Sequence, residues 1–360
     1  MNQTTPSDNT DVLQSIRLSR IIIPTILGIG VVLWMMSNQL DPEEFEQIPW
    51  NSRNFFWLGM AVMTYVIRHL FYAWRIRELS SKAFSWWKSI ELIFIWEFSS
   101  SVSPTSVGGS AVALFMLAQE KISTARTVSI VLYSMVLDSF YFIVSLVLFY
   151  AIVGPSIIRP GMTSLSSVDE YGVIFIAVII FMVLYGGIFA YGLFVKPQAL
   201  RSILKWLSNV RILSRFKDSL SKTGDDVVIT AEEMQSKPWT YHVKVFTATS
   251  GAWVMRFAAL NCIIIALIPS TPMDWFSQLE VLARGETMYA VTAFSPTPGG
   301  AGIAEVLFGG FFTDYISAGI ATVVALVWRL ITYYPYLLAG ALIIPNWVRK
   351  IMSYRTEAAS

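Results

Sequence analysis

Six apolar runs, at residues 21–37, 55–73, 127–153, 171–195, 245–268 and 316–343, constrain this chain more than any other feature. With their flanks they supply the roughly 20 residues that a helix needs to cross a hydrocarbon core of about 30 Å. Composition agrees: 55% of the 360 residues are apolar and only 14% are charged, more apolar surface than a soluble domain hides in one core. The bilayer is the expected solvent, and the expected class is an all-α integral membrane protein. Arg17 and Arg20 precede the first run, and no small-residue cleavage pattern follows it, which predicts a retained anchor. Cys262 is the only cysteine, and His69 and His242 are the only histidines. No disulfide, metal site or cofactor is expected from that set.

Two further apolar segments are broken in the middle. Residues 86–119 contain Ser103-Pro104-Thr105-Ser106-Val107-Gly108-Gly109, and residues 276–313 contain Ser295-Pro296-Thr297-Pro298-Gly299-Gly300. Proline and paired glycines stop helices. The apolar stretch beyond each break is long enough to reach about half-way across, at about 1.5 Å per residue. Lys and Arg decide the sidedness. Arg75, Arg77, Lys82 and Lys88 precede the first broken segment and Lys121 and Arg126 follow it, whereas Asp274 and Asp314 flank the second. The positive-inside rule then places both ends of one segment inside and both ends of the other outside. Six full spans plus two re-entrant hairpins are expected, with a cytoplasmic stretch at 1–20, a membrane domain at 21–343 and a cytoplasmic tail at 344–360. The mixed-charge loop 196–244 is expected to form amphipathic helix at the inner leaflet, where its basic residues either fix topology or attract anionic lipid.

The two halves also match in register. Gly109 lies 29 residues before Asp138, and Gly300 lies 29 residues before Arg329. Equivalent positions therefore carry opposite charges in spans that follow hairpins of opposite sidedness, the pattern of inverted-topology repeats built around a midplane site. Irregular backbone at that depth is tolerated only when buried in protein or lining a wet cavity. The half-helices expected to start at Ser110 and Ala301 present free N–H groups that favour an anion such as phosphate; alternatively, the glycine pairs merely allow close packing. The candidate site is therefore Ser103, Pro104, Thr105, Gly108, Gly109, Ser295, Pro296, Thr297, Gly299 and Gly300 at the tips, with Asp138, Arg256, Glu305 and Arg329 as charged groups.

Each intramembrane charge admits two readings. Asp138 and Arg329 either clamp the repeats together or face substrate. Arg256 either meets a lipid phosphate or pairs with Glu280 or Glu286. Glu97 and Glu305 are weaker candidates for a proton or an ammonium group. Arg68 and His69 are expected to be interfacial anchors.

The tip sequences, followed by Asp138 and Arg329, and above all the run Pro298-Gly299-Gly300-Ala301-Gly302-Ile303-Ala304-Glu305, resemble the lysylphosphatidylglycerol synthase transmembrane, or flippase-like, family over residues 15–350. The first tip departs from the family pattern, with Ser110 and Ala113 where many relatives place Glu and Arg. The resemblance implies a lipid flippase-like module. In the two-domain synthases that module precedes a soluble aminoacyl-transfer domain, which is not expected here because only residues 344–360 follow the last span.

The expected function is translocation of an anionic or zwitterionic lipid headgroup, phospholipid or polyprenyl-phosphate-linked, between leaflets of a bacterial inner membrane, with both termini cytoplasmic. No Gly-x-x-x-x-Gly-Lys-Ser/Thr loop is present, so ATP coupling is not expected, and neither is a nucleic-acid partner. The rivals are a membrane-embedded lipid transferase using Asp138 or Glu305 as a base, and a non-catalytic partner of a lipid-modifying enzyme.

Overall fold

A computed structural model describes residues 50–102, 106–120, 122–163, 170–209, 217–292 and 303–359, together with Glu46 and Ile48. The predicted first span at 21–37 and both proline-containing tips lie outside these residues.

The described residues form helices and turns, with no strand. They are α1 (Ser52–Leu79), α2 (Trp86–Val102), α3 (Ser106–Ala118), α4 (Thr124–Val153), α5 (Glu170–Phe194), α6 (Pro197–Ser208), α7 (Lys217–Gln235), α8 (Trp239–Leu267), α9 (Trp275–Thr292), α10 (Ile303–Phe311), α11 (Ala318–Thr332) and α12 (Tyr334–Ala359). A short 3-10 turn, Pro155–Ile157, follows α4. Among the described residues, five stretches are long and apolar enough to cross a membrane: Ser52–Leu79, Arg126–Val153, Gly172–Phe194, Trp239–Leu267 and Val323–Ile351.

Local chemistry sets the helix ends. The side chain of Asn51 accepts from the N–H groups of Arg53 and Asn54 and starts α1, and Ser123 accepts from the Arg126 N–H and starts α4, each satisfying donors that a helix N-terminus otherwise leaves unpaired. Gly154, at φ +89°, ends α4 in a conformation that L side chains resist. One expected span is two helices. The run 316–343 breaks at Tyr333, because Pro335 has no N–H to continue α11 and starts a new helix instead. The carbonyl of Thr332, left at the end of α11, accepts from the hydroxyl of Tyr65 at 2.6 Å.

A second correction concerns the first tip. The helix after it starts at Ser106, so Gly108 and Gly109 lie inside the first turns of α3 rather than ahead of a start at Ser110. The loop 196–244 contains two helices that pack on each other, and α7 also packs against α4 and α5.

Helix order repeats along the chain: a long helix, an arm, a break, a short helix and another long segment, first as α1 to α4 and again as α8 to α12. The long first helices of the two series, α1 and α8, pack together more extensively than any other pair. They run antiparallel, since Asn54 meets the carbonyl of Ala266 while Phe71 lies against Gly251. A Cβ on Gly251 would come within 2.6 Å of the Phe71 ring, so glycine is what lets that ring lie against the α8 backbone. Helix α8 is the core of the bundle, with 67% of its apolar window buried, whereas α5 has 17% and leaves most of its apolar side chains on the outer surface. In a bilayer protein that surface faces lipid rather than marking a defect.

Candidate functional site

The arginines that interrupt apolar segments do not all end in the same environment. Arg68, on α1, is fully buried. One guanidinium nitrogen donates to both oxygens of Glu97 on α2, at 2.9 Å each, and another donates to the Tyr336 hydroxyl on α12 at 2.8 Å. The rings of Tyr65 and Tyr72 flank its faces at 4.8 and 4.7 Å. His69 joins the same cluster, with Nδ1 3.0 Å from the Tyr336 hydroxyl and Nε2 3.2 Å from the Ile90 carbonyl. Arg68 and His69 are therefore buried inside the bundle rather than set on its surface as anchors; they tie α1, α2 and α12 together. Charge-assisted pairing with both carboxylate oxygens plus cation–π contact compensates a charge that would otherwise be costly to bury.

Arg284, on α9, is 1% exposed. It donates to Glu280 at 2.7 Å, to Asp314 at 2.5 Å, and to the carbonyls of Ser156 and Phe311. Glu280 also accepts from Ser156 and Tyr315. This network binds α9 to the turn after α4 and to the connection between α10 and α11. The Tyr315 hydroxyl is pushed up to about 12, first by burial and then by its hydrogen bond to Glu280.

Arg256, on the core helix α8, differs from both. Its guanidinium lies 4.4 Å from the centre of the Tyr289 ring and 5.6 Å from that of Trp253. No described carboxylate pairs with it, and its Nε has no hydrogen-bond partner among the described residues. The two acids expected as alternatives are occupied: Glu280 serves Arg284, and Glu286 accepts from the Tyr141 hydroxyl and meets the Ser145 hydroxyl, both on α4. Arg256 thus presents a half-shielded cation on an aromatic shelf formed by Trp253 and Tyr289.

Asp138 is held next to that shelf. It accepts from Arg75 at 2.6 Å and from the indole N–H of Trp253 at 2.8 Å. The expected clamp between Asp138 and Arg329 is therefore replaced by a pair between Asp138 and Arg75. Arg75 was counted above among the loop charges, but α1 extends to Leu79 and buries it. Arg329 is buried on α11, with its guanidinium over the rings of Trp328 and Tyr333. The Tyr333 hydroxyl donates to the Ser101 carbonyl near the end of α2, satisfying an acceptor where that helix stops.

Of the remaining expected residues, Gly108 and Gly109 lie in α3, and Glu305 lies in α10 with its side chain outside the described residues. Ser103, Pro104, Thr105, Ser295, Pro296, Thr297, Gly299 and Gly300 fall outside them too. The structure brings Asp138 and Arg256 to one aromatic layer through Trp253. Glu97 belongs to the Arg68 cluster, which makes it a poor site for an incoming ammonium group. Tyr141, Glu286, Trp253 and Tyr289 were not among the expected site residues. The acid Glu286 inside an apolar segment was the one signal of them in the sequence.

An all-helical bundle with spanning-length apolar helices and charges assembled in its interior defines the class as a polytopic membrane protein. The chain belongs to the family described as Lysylphosphatidylglycerol synthase TM region, which matches residues 21–340. A UPF0104 membrane protein of Archaeoglobus fulgidus is 24% identical over 299 residues, covering 80% of this chain and 86% of the relative. No solved structure matches the chain.

Proposed function

We propose that this protein translocates an anionic or zwitterionic lipid headgroup, phospholipid or polyprenyl-phosphate-linked, between leaflets of the cell membrane while the acyl chains stay in the bilayer. The observation that carries the reading is Arg256, a cation on the core helix with aromatic faces beside it and no described carboxylate within salt-bridge distance, Glu97 acting on it only from farther away and already paired with Arg68. An intramembrane arginine without a directly paired carboxylate is costly, and a lipid phosphate arriving from the bilayer lowers that cost with charge-assisted hydrogen bonds. Asp138 beside it suits the ammonium group of a zwitterionic headgroup, in exchange with Arg75.

The repeated helix order and the antiparallel α1–α8 pair support an inverted-repeat reading, in which α2–α3 and α9–α10 are hairpins entering from opposite sides. Such an architecture moves a midplane site from one side to the other by rocking one repeat against its mate. In this reading both termini are cytoplasmic, and no covalent step is assigned to the chain. The test is leaflet exchange of labelled phospholipids and polyprenyl-phosphate lipids in vesicles containing the purified protein. Exchange faster than in protein-free vesicles, and selective for one headgroup, is expected. No acceleration with any of these lipids, from folded protein and with an ion gradient applied, would overturn the proposal.

A further inference from the structure

Glu286 is fully buried on α9, one helical turn before Tyr289, and no cation among the described residues contacts it. Its partners are two hydroxyl groups of α4. Tyr141 donates to Oε2 at 3.0 Å, and the Ser145 hydroxyl meets Oε1. The same Ser145 oxygen lies 2.7 Å from the Tyr141 carbonyl, the usual back-bond of a serine inside a helix. A serine hydroxyl carries one hydrogen, and the Ser145 oxygen has three oxygen neighbours, the Tyr141 and Phe142 carbonyls and Glu286 Oε1. With the serine hydrogen given to the Tyr141 carbonyl, a protonated Glu286 supplies the hydrogen for its own contact with Ser145.

The surroundings agree with a neutral acid. The described charges on the elements packed against α9 are directed elsewhere. On α4, Asp138 is bound by Arg75 and Trp253. On α8, Arg256 faces Tyr289 and Trp253. On α5, Tyr185 lies in the field of Asp138, and on α9 itself Glu280 and Arg284 pair with each other and with Asp314 and Tyr315. On α10, Glu305 has its side chain outside the described residues. An ionised carboxylate in such a place would be an uncompensated buried charge.

We infer that Glu286 is a proton-binding site, loaded in this structure, and that its proton is exchanged in step with headgroup movement at Arg256. The second half of the inference rests on the translocation reading; the first half does not. The connection is structural. Tyr141, which donates to Glu286, stacks on Trp253 with ring centres 6.3 Å apart and planes 13° apart. Trp253 in turn holds Asp138 and lies under Arg256, and Tyr289 on the Glu286 helix carries the other side of the Arg256 contact. When water reaches this layer, the Glu286 proton passes to it. Ser145 then turns its hydrogen from the Tyr141 carbonyl to the new carboxylate. That carboxylate opposes a phosphate in the same layer, so phosphate and proton bind with positive coupling, each raising affinity for the other.

The test uses the full chain in lipid vesicles and two readouts. Infrared difference spectra should show the carbonyl stretch of a protonated, buried carboxylic acid at neutral pH, lost in Glu286→Gln. Leaflet exchange in the intact protein should respond to an imposed proton gradient, and in Glu286→Gln that response should be lost. Glutamine mimics the neutral acid, so the variant should keep its folded yield; Tyr141→Phe provides a second route, because removing the donor to Oε2 should shift the acid band. An acid band absent from the intact protein, or retained in Glu286→Gln, or unmoved in Tyr141→Phe, would overturn the proton site. A band that behaves as expected, with no exchange of any lipid, would support the proton site and overturn the translocation reading. Exchange whose gradient response survives Glu286→Gln would overturn the coupling and leave translocation standing.

Discussion

Arg68 and Arg256 sit on neighbouring antiparallel helices and differ in what surrounds them. Arg68 has a carboxylate meeting one nitrogen with both oxygens, a tyrosine hydroxyl and two ring faces; Arg256 has ring faces and no carboxylate within salt-bridge distance among the described residues. Arg284 resembles Arg68, with two carboxylates and two carbonyls. The difference teaches that an intramembrane charge is not by itself evidence of a site. Charges with carboxylate partners inside the bundle hold helices together, and Arg256, with none within pairing distance among the described residues, is the position proposed to meet a ligand.

The comparison is broken most readily by removing a partner. Glu97→Ala leaves Arg68 buried without its counter-charge and is expected to destabilise by about 3–5 kcal/mol, read as a large fall in the thermal midpoint of purified protein; a fall no larger than that of Arg256→Gln would make the two arginines equivalent. Forcing α1 and α8 apart should come next. Gly251→Leu drives a side chain into the Phe71 ring and is expected to cost about 1–3 kcal/mol, and normal stability would show that the close approach is dispensable. Asp138→Asn is expected to cost about 1 kcal/mol, since asparagine still accepts from Trp253 and the side chain is 30% exposed. It should slow lipid exchange more than it lowers stability, at matched protein content. Exchanging Asp138 and Arg75 should be tolerated better than exchanging Asp138 and Arg329.

The smallest effect lies outside the membrane. Asp274 caps α9 by accepting from the N–H groups of Phe276 and Ser277. Those Ser277 contacts, with a smaller part from the Phe276 N–H, hold its carboxyl below the ordinary value. A lowered folded value means that the stabilisation is present above about 3.9, the unfolded value for Asp, and is lost as pH falls through the folded one. Asp274→Ala should remove only that acid-side part of the pH–stability curve, and an unchanged curve would show that the cap contributes nothing.

Most of the helical framework was legible in the sequence because bilayer thickness fixes the length of an apolar run, and proline and glycine mark where runs break. Pro335 is the exception: it sits in the apolar run 316–343, where hydropathy masks it, and only the freed Thr332 carbonyl and its Tyr65 donor show the break. Arg256 and Asp138 were legible as charges at depth, but their partners were not. Arg75 is 63 residues from Asp138 and Tyr336 is 268 from Arg68, and no periodicity links residues so far apart. The pairing of Arg68 with Glu97 could have been anticipated, since each is a charge in an apolar segment that demands an opposite one.

The central claim is that Arg256 is left for an anionic headgroup, and its most direct test is leaflet exchange by Arg256→Gln beside the intact protein at equal folded content in vesicles. The account predicts a thermal midpoint close to that of the intact protein with lipid exchange lost. Exchange at the intact rate would contradict it and place Arg256 among the structural charges.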